Sequence, residues 1–177
     1  MTHTPLSDTQ YHVHLAYARL WSKLPFYQIR VKSICEETPI ARSTFYNYYD
    51  DIDMLRQEVE ERLLTALIQL NQIHFEKMIQ APSDLTFIAS TLGFIKQEES
   101  FFRAFLIDQY NPSFIYKWKQ AMIAHLRLIL KQDSHNFDLK LEVFTSAAIT
   151  IFTEVLKNPT THLSLDDLQQ LIFKVLE

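Results

Sequence analysis

One glycine, Gly93, stands in a chain of 177 residues, and that scarcity excludes most of the ways a chain can reverse direction tightly. Two-residue hairpin turns need residues that accept positive φ, glycine above all. A sheet protein of this length would need several. With only six prolines as further breakers, the chain is expected to be all-α, with helices joined by short polar loops. Its length is enough to bury a substantial core, and no composition shift marks a second independent domain.

The single cysteine, Cys35, has no partner for an intramolecular disulfide, and the seven histidines lack paired metal-ligand spacing. No metal site and no cofactor is expected. No apolar run approaches bilayer length, and the start Met1-Thr2-His3-Thr4-Pro5 lacks the basic and apolar regions of a signal peptide. A cytoplasmic protein without a membrane partner is the expectation. The formal charge of −4 weighs against a nucleic-acid partner, but six of the 17 basic and six of the 21 acidic residues lie within residues 1–56. The amino-terminal part is therefore neutral, and the acidity lies beyond it.

Apolar residues at Val13, Ala16, Leu20 and Leu24 share one helical face from Asp8 to Leu24, with Ser7 or Asp8 as cap and Pro25 as stop. A short helix follows over Val31 to Glu37, with Ile34 and Cys35 inward and Lys32, Glu36 and Glu37 outward. Thr38-Pro39 interrupts it, because a residue before proline is pushed out of the helical region. A third short helix is expected from about Ala41 to Tyr48. Beyond Asp50-Asp51, a stripe of Met54, Leu55, Val59, Leu63, Leu67 and Leu70 marks a long helix to about Gln80. Further helices are expected at about 84–97, 99–108, 112–132, 138–157 and 164–176.

Two short helices, a third close behind and a long helical remainder describe a three-helix helix-turn-helix head, residues 1–50, continuous with a helical bundle body, residues 51–177. In the third helix Phe45 and Tyr49, four apart, share a buried face with Ile40, while Arg42, Tyr46 and Asn47 point elsewhere and Ser43, Thr44 and Tyr48 lie at the margins. These groups suit DNA. Arginine reaches guanine edges or phosphate, asparagine pairs with adenine, and hydroxyls anchor phosphates. A plain solvated helix face would carry a similar mixture.

The stretch Leu24-Pro25-Phe26-Tyr27-Gln28-Ile29-Arg30-Val31-Lys32-Ser33-Ile34-Cys35-Glu36-Glu37 resembles the first-to-second helix passage of TetR-type (TetR/AcrR-like) transcriptional regulators. Ser43-Thr44-Phe45-Tyr46, with Tyr48, Tyr49 and then Asp53-Met54-Leu55, is similar to that family's recognition-helix signature. The two stretches cover about a quarter of the chain. The resemblance implies that Arg42, Ser43, Thr44, Tyr46, Asn47 and Tyr48 line the major groove or its phosphate walls, with Arg30 and Lys32 near the start of the second helix. It also implies a homodimer whose recognition helices lie about 34–36 Å apart on a palindrome-like operator in double-stranded DNA.

Four positions depart from the family pattern. Pro39 stands where glycine is usual, and its ring is expected to keep the turn out of the left-handed conformation. Ala41 stands where serine commonly caps the third helix, so that contribution of about 1 kcal/mol is lost or comes from Thr38. Ile52 replaces a phosphate-touching lysine beside Asp50 and Asp51, and Asn47 replaces a common arginine. Each lost phosphate contact flattens the salt dependence by about 0.9.

In the body, Phe94, Phe102, Trp118 and His125 are candidates for lining a small-molecule effector pocket, although aromatics at helical spacing are more often core. Ala147, Ala148, Ile151 and Phe152, with Leu168 and Ile172 of the last helix, are candidates for the homodimer interface. No nucleophile–base arrangement and no phosphate-cradling glycine loop stands out, so no catalytic residue and no enzyme activity is expected. The leading reading is a ligand-responsive regulator on operator DNA. Its rival is a co-regulator with a degenerate head that acts through a ligand or a protein partner.

Overall fold

The computed structural model describes residues 6–81, 84–130, 136–158 and positions 164, 166, 167 and 170. Among them the chain is all-α, with eight α-helices and no strand. The helix expected over 164–176 falls almost wholly outside the described residues. The chain divides into two compact units, Met1–Arg62 with Ser100–Tyr110, and Leu63–Glu99 with Asn111–Glu177.

In the first unit, α1 (Asp8–Trp21) opens with a capping box. The Ser7 hydroxyl accepts from the Gln10 amide at 3.2 Å, and the Gln10 side chain accepts from the Ser7 amide at 3.1 Å. Two otherwise orphaned donors are thereby satisfied. Val13, Ala16, Tyr17, Leu20 and Trp21 form its buried face. The helix ends three residues before the expected Leu24, although the Leu24 amide still reaches the Leu20 carbonyl at 2.8 Å.

Pro25 then starts a 3-10 turn, Phe26–Gln28, that the sequence pattern did not announce. Helix α2 (Val31–Glu37) buries Ile34 and Cys35 and exposes Lys32, Glu36 and Glu37, as its periodicity requires. Helix α3 (Arg42–Tyr46) is shorter than the expected Ala41 to Tyr48, because Asn47 and Tyr48 form a turn. Phe45 and Tyr49 are nevertheless buried, at 0% and 1% exposure.

Helix α4 (Ile52–Gln80) is capped by Asp51, whose carboxylate accepts from the Met54 amide at 2.8 Å. Leu55 and Val59 face the interior of the first unit, whereas Met54 is 42% exposed and its sulfur accepts from the Asp50 amide. The first unit is completed by α6 (Glu99–Arg103), which runs on as a π-helical turn, Ala104–Asp108. Phe105 on that turn packs edge-on against Trp21 and Tyr17, at 5.4 and 6.4 Å between ring centroids.

The second unit contains the rest of α4 with α5 (Thr86–Gln97), α7 (Pro112–Leu130) and α8 (Phe137–Lys157). Helices α7 and α8 pair through Trp118, which stacks on Phe152 at 6.2 Å and meets Phe114 at 6.1 Å. Ion pairs Lys119–Glu142 and Arg127–Asp138 bridge the same two helices. Gly93 lies exposed inside α5, and a Cβ built on it meets nothing within 4 Å. No described helix is long and apolar enough to cross a membrane.

Candidate nucleic-acid interface

The link from α2 to α3 decides how the third helix is presented. The Ile40 amide donates to the Cys35 carbonyl at 3.3 Å, the six-to-one bond of a Schellman-type helix end. The residue before Ile40 in that motif is left-handed, a conformation glycine adopts freely. Here it is Pro39, held at φ 23°. Proline was expected to force a different turn; instead the left-handed sense is kept against the ring's preference for about −65°. Proline also has no amide for the motif's second bond, to the Glu36 carbonyl.

Ala41 is the N-cap of α3, and no side chain caps it. Thr38 does not substitute: its hydroxyl donates back to the Ile34 carbonyl at 2.7 Å. The helix is held by its own backbone and by two aromatic anchors. The Phe45 ring lies 5.4 Å from Tyr49 and, edge-on, 5.5 Å from Tyr46.

With Phe45 inward, Arg42, Ser43, Tyr46 and Asn47 come together on one exposed face, spaced i, i+1, i+4 and i+5, while Thr44 and Tyr48 are half-buried beside it. Arg42 forms no ion pair among the described residues. Burial pushes the Cys35 thiol above its ordinary range, and Arg42 partly offsets that. Arg30 is the N-cap of α2, and its guanidinium donates to the carbonyls of Tyr27 and Ile29. Lys32 points to solvent and pairs with Glu36 at 3.7 Å.

Arg30 and Tyr46 also line one cleft of about 290 Å³, together with Tyr27, Asp50, Asp51, Ile52 and Asp53. Sequence reasoning did not single out Tyr27, which is 69% exposed. The cleft's polarity is mixed. Arg56 lies over the Phe26 ring at 4.6 Å and is paired with Asp53 at 2.8 Å, whereas Asp50 and Asp51 are exposed.

Behind α3 lies a polar cluster that periodicity gave no sign of. His14 is fully buried, with Nε2 3.0 Å from the Tyr49 hydroxyl and 3.3 Å from Glu58 Oε1. The Tyr49 hydroxyl donates to the same carboxylate oxygen at 3.3 Å, and the Gln10 side-chain amide donates to it at 3.5 Å. Burial, and then the Glu58 charge, push the Tyr49 phenol well above its ordinary range. It remains a proton donor throughout the physiological range.

The body candidates are distributed over both units. Phe102 is buried in the first unit; in the second, Phe94 and His125 are half-buried and Trp118 is buried between Phe114 and Phe152. Of the interface candidates, Ala148 and Phe152 are buried within the second unit, while Ala147 and Ile151 line an open groove of about 530 Å³ with Lys119, Glu142 and Val143. Ala147 and Ile151 are half-buried in that groove. Leu168 and Ile172 lie outside the described residues. Among the described residues, no three His, Cys, Asp or Glu side chains gather to hold a metal ion.

No protein-family model matches the sequence, and no curated protein matches it. Solved structures do. A TetR-like transcriptional regulator from Rhodococcus sp. RHA1 superposes with a TM-score of 0.68 at 14% identity, over 98% of this chain and 96% of that one. A TetR-family transcriptional regulator from Syntrophomonas wolfei gives 0.61 at 11% identity, over 94% and 92%. A dihydroxyacetone kinase operon activator gives 0.58 at 18% identity, over 96% and 94%. The described helices share the fold of TetR-type regulators.

Proposed function

We propose that this chain is a TetR-like transcriptional regulator that binds a palindrome-like operator in double-stranded DNA as a cytoplasmic homodimer and responds to a small-molecule effector in its helical body, without enzyme activity. The observation that carries this reading is the exposed face of α3. Arg42, Ser43, Tyr46 and Asn47 are presented together on a helix whose opposite face is rooted through Phe45. A solvated face does not need such anchoring, whereas base readout requires a helix of fixed pitch. Residues 1–50 supply the reading head, with Arg30, Lys32, Thr44 and Tyr48 at its edges. Residues 51–177 supply the effector site, for which Phe94, Trp118 and His125 of the second unit are the candidates. Ala147 and Ile151 lie on the exposed side of α8 and fit a two-fold contact. An effector that prefers one arrangement of the heads shifts the fraction bound to DNA.

The experiment is binding to the DNA upstream of the protein's own reading frame, at low and moderate salt, for the wild type and for Arg42→Ala with Tyr46→Phe. Salt-sensitive binding to one site that the substitutions abolish supports the reading. Light scattering that reports a monomer removes the two-fold operator.

A second reading has its own observation. Asp50, Asp51 and Asp53 crowd the cleft beside Arg30 and Tyr46, where the family resemblance implies a phosphate contact. With Asp53 paired to Arg56, the exposed carboxylates of Asp50 and Asp51 oppose a phosphate strand there. A co-regulator acting through a ligand or a protein partner would then bind duplex feebly, and equally with and without the two substitutions.

A further inference from the structure

We infer that His14 and Glu58 are positioning residues that set the pitch of the recognition helix through the hydroxyl of Tyr49, an inference that rests on the DNA-binding reading. Three polar groups from two separate segments converge on Glu58 Oε1 of α4, which accepts: Gln10 and His14 from α1, and Tyr49 from the segment that leaves α3. Tyr49 is bonded twice over to this cluster, at 3.0 Å to His14 and 3.3 Å to Glu58. Its ring then holds Phe45, and Phe45 holds Tyr46. The path from a buried imidazole to a groove-facing phenol therefore runs through four packed groups, Phe45 and Tyr46 belonging to α3 itself.

Why this should matter for reading rather than only for folding follows from how little else fixes α3. It has five residues, no side-chain cap, and a proline in the turn that precedes it. A helix that short is not stable on its own length. Aromatic packing alone resists separation but lets a ring slide; a hydrogen bond to a fixed partner is directional and stops that motion. A polar cluster at 0% exposure for His14 costs desolvation unless fully bonded, so an apolar core would serve folding at least as well. Orientation of α3 is what the polar version adds.

The test begins with the duplex enriched by the full-length wild-type protein from a random-sequence pool. Affinities for that duplex and for a scrambled one of equal length are compared, with thermal unfolding in parallel. Tyr49→Phe keeps the ring and removes only the hydroxyl. It is expected to lower the ratio of specific to scrambled affinity about five- to tenfold, the scale of one directional buried bond, while scrambled affinity stays unchanged. His14→Phe is expected to do the same, and His14→Gln, which keeps a donor and an acceptor, to restore most of the ratio. An unchanged ratio in Tyr49→Phe overturns the inference, as does a loss that falls equally on both duplexes. If the wild type enriches no duplex, the DNA-binding reading fails first and this role falls with it; a wild type that discriminates normally beside an unaffected Tyr49→Phe defeats the positioning role alone.

Discussion

Trp21 Nε1 donates to the carbonyl oxygen of Gln109 at 2.8 Å, across 88 positions of sequence. The acceptor sits just after the π-helical turn, at a place where a backbone carbonyl has left its helical ladder. One indole thus closes the end of that turn and, with Phe105 against its ring, ties Ser100–Tyr110 to α1.

Trp21→Phe keeps an aromatic ring but leaves that carbonyl without its donor. We expect a loss of about 1–2 kcal/mol, read as a melting temperature lower by roughly 2–8 °C for a chain of this size. An unshifted transition would mean that water replaces the indole at no cost.

Tyr17 presents the opposite case. Its ring is fully buried, yet its hydroxyl has no hydrogen-bond partner among the described residues. Burial pushes the phenol far above its ordinary value; Arg56 opposes this, and Glu60 and Asp53 add to it. Because the folded chain keeps a proton that the unfolded chain loses near pH 10, stability is full below that pH. It then falls as pH rises, by up to about 1.4 kcal/mol per pH unit. Tyr17→Phe is expected to raise stability at pH 7 by about 1 kcal/mol and to make the loss between pH 10 and 11 shallower. Urea unfolding across that range checks both, and Tyr49 accounts for a remaining slope.

These two tyrosines show where the sequence was readable and where it was not. Helical spacing placed Tyr49 inside but did not single out Tyr17; Ser7, read with Asp8 as a possible cap, is the cap, α1 stops at Trp21 short of Pro25, and Val31 to Glu37 matches α2 residue for residue. Local patterns carry that information because caps and periodicity act within a turn or two. The return of Ser100–Tyr110 to α1, the π-helical turn and the convergence on Glu58 depend on partners far away in sequence, and no spacing rule connects Trp21 to Gln109. For the exposed face of α3 the pattern was sufficient to bring Arg42, Tyr46 and Asn47 together; it gave no reason to single out Tyr27 or His14.

Gly93, whose rarity argued for helices, is not used as a turn. It lies in the exposed middle of α5, with open space where a Cβ would go. Gly93→Ala is therefore expected to stabilise the chain by about 0.5–1 kcal/mol. Denaturant midpoints at constant slope measure it, and a destabilised variant would show that a partner needs the bare backbone there.

Pro39 at φ 23° stores strain of roughly 1–3 kcal/mol. Pro39→Gly relieves it and returns an amide to the Glu36 carbonyl, against about 1 kcal/mol of added freedom in the unfolded chain. We expect a net gain of about 1 kcal/mol, seen as a higher melting temperature. A lower one would mean that the proline ring packs usefully in the turn.

Ile52 tests which way the head faces. It is the first residue of α4, half-buried in the cleft with Asp50, Asp51 and Asp53, at the position where the family resemblance implies a phosphate-touching lysine. Asp51 must be left alone, since it caps α4; Asp50 caps nothing and is exposed. Ile52→Lys in an Asp50→Asn background therefore replaces one repulsive charge and one neutral side chain with a single cation, without touching α3. If a phosphate strand passes this cleft, each head gains one contact. The plot of log affinity against log salt then steepens by about 0.9 per head, and binding tightens several-fold at low salt for any sequence. Arg42, reading bases rather than phosphate in this scheme, should discriminate as before. A slope that does not move places the cleft away from the duplex, and the carboxylates around it then favour a protein or ligand partner over DNA.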